Sequence, residues 1–230
     1  MAMTPHIQAI ERAVRILGLF RHDDPYLTLP QLTERSGLGR ASTHRYATAL
    51  RREGLLRYDE ARKVYSLGPR LLGLASVAMA SLRVVSIAGQ HMDRLAHELN
   101  ETVVLSVADS GAAMIARVSE APRRDVRISP RLGTRLERGS AQGQLIAALS
   151  TSDGAGLDPE VAERVRATRM ATLVDGNFGI IAAPVFQGGT LVATMAVIGF
   201  RDDVSDTTTD KIEALRRAAD DVSAELGGDV

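Results

Sequence analysis

The stretch from Leu27 to Leu56, LTLPQLTERSGLGRASTHRYATALRREGLL, constrains the fold more than any other part of the chain. It reads as two short helices joined by a tight turn. Thr28 is an N-cap residue, and Gln31 three positions later completes a capping box. Pro30 falls in the first helical turn, where a missing N–H removes no intrahelical bond. Ser36-Gly37 ends the helix, because glycine accepts the left-handed backbone that a sharp exit requires. The second helix is expected to start near Gly39 or Arg40 and to stop at Gly54. At about 100° per residue, Thr43, Tyr46, Ala47 and Leu50 share one face and form the expected buried stripe. Ala41, Arg45, Thr48 and Arg52 point the opposite way, with Ser42, His44 and Arg51 on the flanks.

Cations and short hydroxyl side chains on one helix face suit the DNA major groove. Arginine binds guanine through two hydrogen bonds, Ser and Thr contact bases or phosphates, and alanine fits beside a thymine methyl. The candidate DNA-contacting residues are Arg40, Ser42, Thr43, His44, Arg45, Thr48 and Arg52. A single basic helix is more often just a solvated face. Here the capped helix before it and the glycine turn make the pair a helix-turn-helix.

The flanking segments extend this unit. Ile7, Ile10, Val14 and Leu17 follow helical spacing, and Ala13 and Phe20 prolong the stripe; this predicts a helix covering the back of the helix-turn-helix. Leu55–Tyr58 and Val64–Leu67 read as two strands joined by Asp59–Lys63. Such a hairpin makes a wing, with Arg62 and Lys63 at its tip in reach of the phosphate backbone. Tip cations are equally ordinary on exposed hairpins. Pro69 opens an aliphatic helix containing Leu71, Leu72, Leu74, Ala75, Ala78, Met79 and Leu82. Its wide apolar arc fits either packing against a second copy or a place in the core of a second domain. The expected divisions are a winged helix-turn-helix over 1–68, a linker helix over 69–86 and a second domain over 87–230.

The second domain reads as α+β. A helix from Ile87 to Asn100 precedes strands Thr102–Ala108 and Ala113–Ser119, turned at Asp109-Ser110-Gly111. A short strand is expected at Val126–Ile128, and helices at Ser140 to Leu149 and Pro159 to Ala167. Ile180–Phe186 and Leu191–Ile198 pair around Gly188-Gly189, and a helix from Asp206 to Leu226 closes the chain. Hairpins flanked by helices indicate an antiparallel sheet.

Composition narrows the chemistry. The chain has no cysteine, which excludes disulfides, thiolate metal sites and cysteine nucleophiles. Aromatic residues make up 3% and tryptophan is absent, so the cores must be aliphatic. The formal net charge is zero, yet residues 1–70 hold 12 Lys and Arg against 7 Asp and Glu, and the rest of the chain carries the opposite excess. A basic first part joined to an acidic second part fits a nucleic-acid module attached to something else. No apolar run approaches the ~20 residues of a membrane span, and no signal-peptide pattern opens the sequence; a cytoplasmic protein without a membrane partner is expected.

No catalytic or metal constellation is assembled. Gly37-Leu38-Gly39-Arg40-Ala41-Ser42 approaches a dinucleotide-binding pattern but follows a helix rather than a strand. Gly139-Ser140-Ala141-Gln142-Gly143 has its serine one place off a nucleophile elbow. His91 and His97 lie six apart on one helix and diverge too far to share a metal. Arg117, Arg123, Arg124, Arg127, Arg131, Arg135 and Arg138 crowd one region, mostly solvated, with room for one or two to bind a carboxylate or a neighbouring subunit. No enzyme, cofactor or metal is expected.

The segments IQAIERAVRILGLF, the helix-turn-helix stretch itself, VYSLGPRLLGLA, LNETVVLSV and IIAAPVFQGGTLVATMAVIGF occur in the order and spacing of a known family. On these segments the chain resembles the isocitrate-lyase-regulator (IclR-type) family of bacterial transcription factors over nearly its full length. The resemblance implies an N-terminal winged helix-turn-helix, a linker helix and a C-terminal GAF-like domain that binds a small organic effector. It also implies a homodimer, often a dimer of dimers, on palindromic double-stranded operator DNA, most commonly as a repressor of a metabolic operon.

Carried over position by position, the effector-binding residues are Ser140, Ala141, Gly143, Phe178, Ile180, Ala196 and Ile198. The chain departs from the family pattern here. The family's histidine before this helix is missing, Gln144 replaces a lysine, and the stretch between Ser150 and Gly179 is short, trimming one wall of the pocket. Ile180, Ala196 and Ile198 stand where relatives answering to small oxo-acids place polar groups. An effector less polar than glyoxylate or pyruvate, or weak binding of any ligand, is therefore expected. Ser140 and neighbouring backbone N–H groups leave room for a weakly polar acid; the same groups equally serve as a plain helix cap. The sequence thus points to an effector-responsive DNA-binding regulator. The alternative is a small-molecule sensor or enzyme domain whose helix-turn-helix makes only protein contacts.

Overall fold

The computed structural model describes residues 7–109, 111–125, 128–150, 156–204 and 209–227. The chain forms two compact units, Met1–Ala78 and Met79–Val230.

In the first unit, α1 (Gln8–Leu17), α2 (Leu29–Ser36) and α3 (Arg40–Arg52) precede a two-stranded sheet of β1 (Leu56–Asp59) and β2 (Val64–Leu67). The local signals act as expected. The Thr28 hydroxyl accepts from the Gln31 amide at 3.4 Å and the Gln31 side chain accepts from the Thr28 amide at 2.8 Å, so two orphan donors of α2 are satisfied. Gly37, at φ +67°, makes the left-handed exit. In the wing, Tyr58 pairs with Tyr65, and Leu27 adds a bridge to Tyr65 through backbone bonds of 3.0 and 2.7 Å. Ile16, Leu27, Leu32, Ala47, Leu50, Leu56 and Tyr65 form one buried cluster. Full burial of each leucine or isoleucine among them is worth ~1.5–3 kcal/mol.

The first helix differs from expectation. Ile7, Ile10 and Val14 are 58%, 60% and 61% exposed, while Ile16 is fully buried and Ala13, Leu17 and Phe20 pack on the core. α1 carries two apolar stripes, and the one ending at Phe20 wins the core because it faces α2 and α3. Helix α4 (Arg70–Ser81) has no buried residue; Leu72, Leu74, Val77 and Met79 are exposed.

In the second unit, α5 (Arg83–Leu99) starts four residues before the expected Ile87. A six-stranded antiparallel sheet follows, formed by β3 (Thr102–Asp109), β4 (Ala112–Ser119), β5 (Arg135–Leu136), β6 (Ala171–Asp175), β7 (Phe178–Gln187) and β8 (Thr190–Phe200) in the order β5-β4-β3-β8-β7-β6. Two edge strands, β5 and β6, were not expected from the sequence. Of the strand expected at Val126–Ile128, the first two residues lie outside the described ones and Ile128 is not in a strand. Gly188 and Gly189 both have positive φ, +54° and +75°, the backbone of a two-residue type I′ hairpin.

Strand alternation sends side chains to two cores. Val103, Leu105, Ile181, Met195 and Val197 face α5 and α8 (Thr209–Glu225). Ala182 and Ala196 face α6 (Ala141–Leu149) and α7 (Pro159–Thr168). Among the described residues, no single helix is long and apolar enough to cross a membrane.

Candidate nucleic-acid interface and ligand cavity

Helix α3 presents the basic face. Arg40, His44, Arg45, Thr48 and Arg52 are exposed, and Ser42 is half-buried. Thr43 is a correction. It is fully buried, with its hydroxyl donating to the Gly39 carbonyl at 3.3 Å, so it anchors the first turn of α3 in the core and cannot reach a base.

The arginines of this unit divide by partner. Arg35 pairs with Asp24 at 2.6 Å and Arg70 with Glu53 at 2.9 Å. Arg51 lies over the Tyr58 ring, 5.0 Å from its centroid, and Arg62 lies over Tyr26 at 4.4 Å. Stacking holds Arg62 on one side of the wing while leaving its guanidinium exposed. Lys63 sits at the wing tip with φ +54°. Among the described residues, Arg40, Arg45 and Arg52 have no intramolecular ion pair. Three exposed cations without internal partners, Arg45 and Arg52 on the outer face and Arg40 at the start of the helix, keep their hydrogen-bonding capacity for an external anion.

The second unit holds a cavity of about 330 Å³ between α6 and the sheet. Ile115 of β4, Ile180 of β7, Ile198 of β8, Leu136, Ile128, Pro130, Phe178 and Ala141 supply its apolar wall, and Ser129, Ser140, Gln142 and Asp175 its polar groups. Five expected effector residues, Ser140, Ala141, Phe178, Ile180 and Ile198, therefore meet at one cavity. Two do not. Ala196 is fully buried against α6. Gly143 packs so closely that a Cβ there would run into the Glu137 carbonyl, which makes it a packing residue of α6. Sequence reading missed Ser129, Gln142 and Asp175: Ser129 follows residues outside the described set, and Asp175 ends the unexpected strand β6.

Ser140 is the N-cap of α6; its hydroxyl accepts from the Gly143 amide at 3.1 Å and donates to the Glu137 carbonyl at 2.6 Å. Gln142 is 3% exposed, and its Nε2 donates to the Thr194 carbonyl and hydroxyl, both at 3.2 Å. Among the described residues no group of three His, Asp or Glu side chains is placed to hold a metal.

Residues 9–60 match the IclR helix-turn-helix domain family. This segment carries an IclR-type helix-turn-helix domain. The chain is 31% identical over 171 residues to the HTH-type transcriptional regulator Rv1719 of Mycobacterium tuberculosis, covering 73% of this chain and 61% of that protein. It is 30% identical over 128 residues to the regulator KipR of Bacillus subtilis, covering 56% of this chain and 50% of KipR. The alignments thus span between half and two thirds of these relatives. The IclR-type fold extends through the second unit. An IclR transcriptional regulator from Alicyclobacillus acidocaldarius superposes with a TM-score of 0.79 at 22% identity, covering 96% of this chain and all of that one. An IclR homolog from Microbacterium hydrocarbonoxydans, complexed with 4-hydroxybenzoate, does so with a TM-score of 0.76 at 21% identity, covering 96% and 99%.

Proposed function

We propose that this IclR-type chain is an effector-responsive, DNA-binding transcriptional regulator. The observation that carries the reading is the exposed basic surface of α3, where Arg45 and Arg52 on the outer face and Arg40 at the helix start stand without internal partners, with His44 and Thr48 exposed between them. Arg45 and Thr48 read bases, Ser42, His44 and Arg40 position the helix, and Arg52, Arg62 and Lys63 contact phosphates.

The protein acts as a homodimer, or a dimer of dimers, on a palindromic operator, because one recognition helix reads only a half-site. The exposed apolar residues Leu72, Leu74 and Val77 of α4 support an interface between copies. A small organic effector occupies the cavity beneath α6 and changes operator affinity by the difference between its affinities for two arrangements of the protein. Repression of a metabolic operon, in the cytoplasm, is the form this regulation takes.

The test is binding to the chain's own upstream intergenic DNA under salt titration with competitor DNA. Saturable, sequence-selective binding that weakens steeply with salt is expected. Turnover of a metabolite with no DNA binding would replace this reading with a sensor or enzyme domain.

A further inference from the structure

The cavity under α6 has an uneven supply of hydrogen-bonding groups. The Ser140 hydroxyl proton goes to the Glu137 carbonyl at 2.6 Å, and the Ser129 hydroxyl proton to Glu120 at 2.6 Å. What these serines can still offer is a lone pair. Both amide hydrogens of Gln142 are engaged by the Thr194 carbonyl and hydroxyl at 3.2 Å and the Val104 carbonyl at 3.5 Å. Carbonyl oxygens accept only, so they fix which end of the Gln142 amide faces them. Its Oε1 is left without a bond from the protein, on a side chain that is 3% exposed and lines the cavity. Asp175 at the rim adds a carboxylate, another acceptor.

Every polar side chain facing this cavity therefore offers an acceptor. Ala141 and Gln142, which line the cavity, belong to the first turn of α6, whose backbone N–H groups have no intrahelical partner. Among the described lining residues there is no Lys, Arg or His. An acceptor facing a largely apolar cavity without a donor is unfavourable, so the cavity favours a ligand that brings its own donor.

Resting on the effector reading above, we infer that the effector is a neutral, hydroxyl-bearing compound on a ring or branched alkyl frame, and not a carboxylate. A hydroxyl donates to Gln142 Oε1 and accepts from an α6 amide, satisfying both sets. A carboxylate has no proton for Gln142 and meets the like charge of the Asp175 carboxylate at the cavity rim. At about 330 Å³ the space lies near the lower end of the ~300–1,000 Å³ common for small-molecule pockets, which suits a single ring.

The test is calorimetric titration of the full chain with three matched probes: 4-methylphenol, 4-methylanisole, which lacks the donor, and 4-hydroxybenzoate, which adds the carboxylate. 4-Methylphenol should bind at least about tenfold tighter than either of the others, one lost hydrogen bond being worth about that factor. Ile180→Trp, which fills the cavity, should abolish binding. Tighter or equal binding of 4-hydroxybenzoate, lost in Ile180→Trp, overturns the inference and leaves the cavity as an effector site. Binding that survives Ile180→Trp in a folded protein overturns the inference and removes the cavity from the effector reading as well. Absence of binding by all three probes overturns the inference, while the DNA-binding reading is judged separately by the operator assay. Should Ile180→Trp not fold, Asp175→Asn at the exposed rim decides: a severalfold gain in 4-hydroxybenzoate affinity supports the inference, and no gain overturns it.

Discussion

The Glu101 carboxylate lies 2.5 Å from Nη2 of Arg124. Glu101 is 1% exposed, and its second cation is Lys211 of α8 at 2.7 Å. Arg124 also pairs with Asp203 at 2.8 Å and lies over the Phe200 ring. Burial works against the Arg124 cation, but Asp203 and Glu101 outweigh it and hold its pKa above the ordinary guanidinium value. This ion cluster thus ties the start of β3 to the segment after β4, the turn after β8 and the first turn of α8. Gly199 is required beside it, since a Cβ there would press on the Glu101 carboxylate and on Val204. Glu101→Ala leaves two cations without their buried partner and should lower stability by about 3–5 kcal/mol. Chemical denaturation at neutral pH measures it; a loss under about 1 kcal/mol would show that solvent compensates the cations.

A pH dependence is expected from Asp220 on α8. Burial raises its carboxyl pKa above the ordinary 3.8, Asp221 adds to the rise, and Arg216 and Arg169 oppose it. The folded protein therefore disfavours the charged form. Its relative stabilisation is present at low pH and lost as pH rises through the raised pKa. Asp220→Asn should accordingly be more stable than the parent at neutral pH, with the gain fading as pH falls through the raised pKa and gone below about 3.8. Melting temperatures of both proteins across that range give the answer, and a gain independent of pH would point to packing instead.

Arg45 and Thr43 lie two residues apart on α3 and face opposite ways. Arg45→Ala should weaken operator binding by about 1–3 kcal/mol and relax selectivity at one base position. Thr43→Val removes a buried hydroxyl that bonds the Gly39 carbonyl and should cost about 1 kcal/mol of stability, with the order of preference among operator sequences unchanged. Quantitative binding to a panel of single-base operator variants separates the two; unchanged affinity for Arg45→Ala removes it from base reading.

The exposed apolar residues of α4 test the proposed self-association. Leu72 and Val77 are 74% and 72% exposed, and apolar surface of this kind marks an interaction site. For the proposed homodimer, Leu72→Glu combined with Val77→Glu should raise the dissociation constant by at least about tenfold, the factor that corresponds to ~1.4 kcal/mol. Sedimentation equilibrium reads the change, with circular dichroism confirming that the helix persists. An unaltered assembly would show that the copies meet elsewhere.

What the sequence determined by itself were the features set by near neighbours. The capping box at Thr28 and Gln31, the left-handed exit at Gly37, the α3 stripe of Thr43, Ala47 and Leu50, and the Gly188-Gly189 hairpin each depend on residues a few positions apart, where spacing and backbone preference suffice. Tertiary structure decided the remainder. α1 has two apolar stripes, and only packing against α2 and α3 chooses the one that is buried. β5 is a two-residue strand, too short for alternation to show. Arg124 belonged to a crowded run of arginines, and its selection as a buried partner required Glu101, 23 residues earlier. The polarity of the cavity rests on Gln142 meeting Thr194, 52 residues later. Hydrogen bonds and ion pairs at such separations carry no periodic signature, because the fold, and not the local chain, brings the partners together.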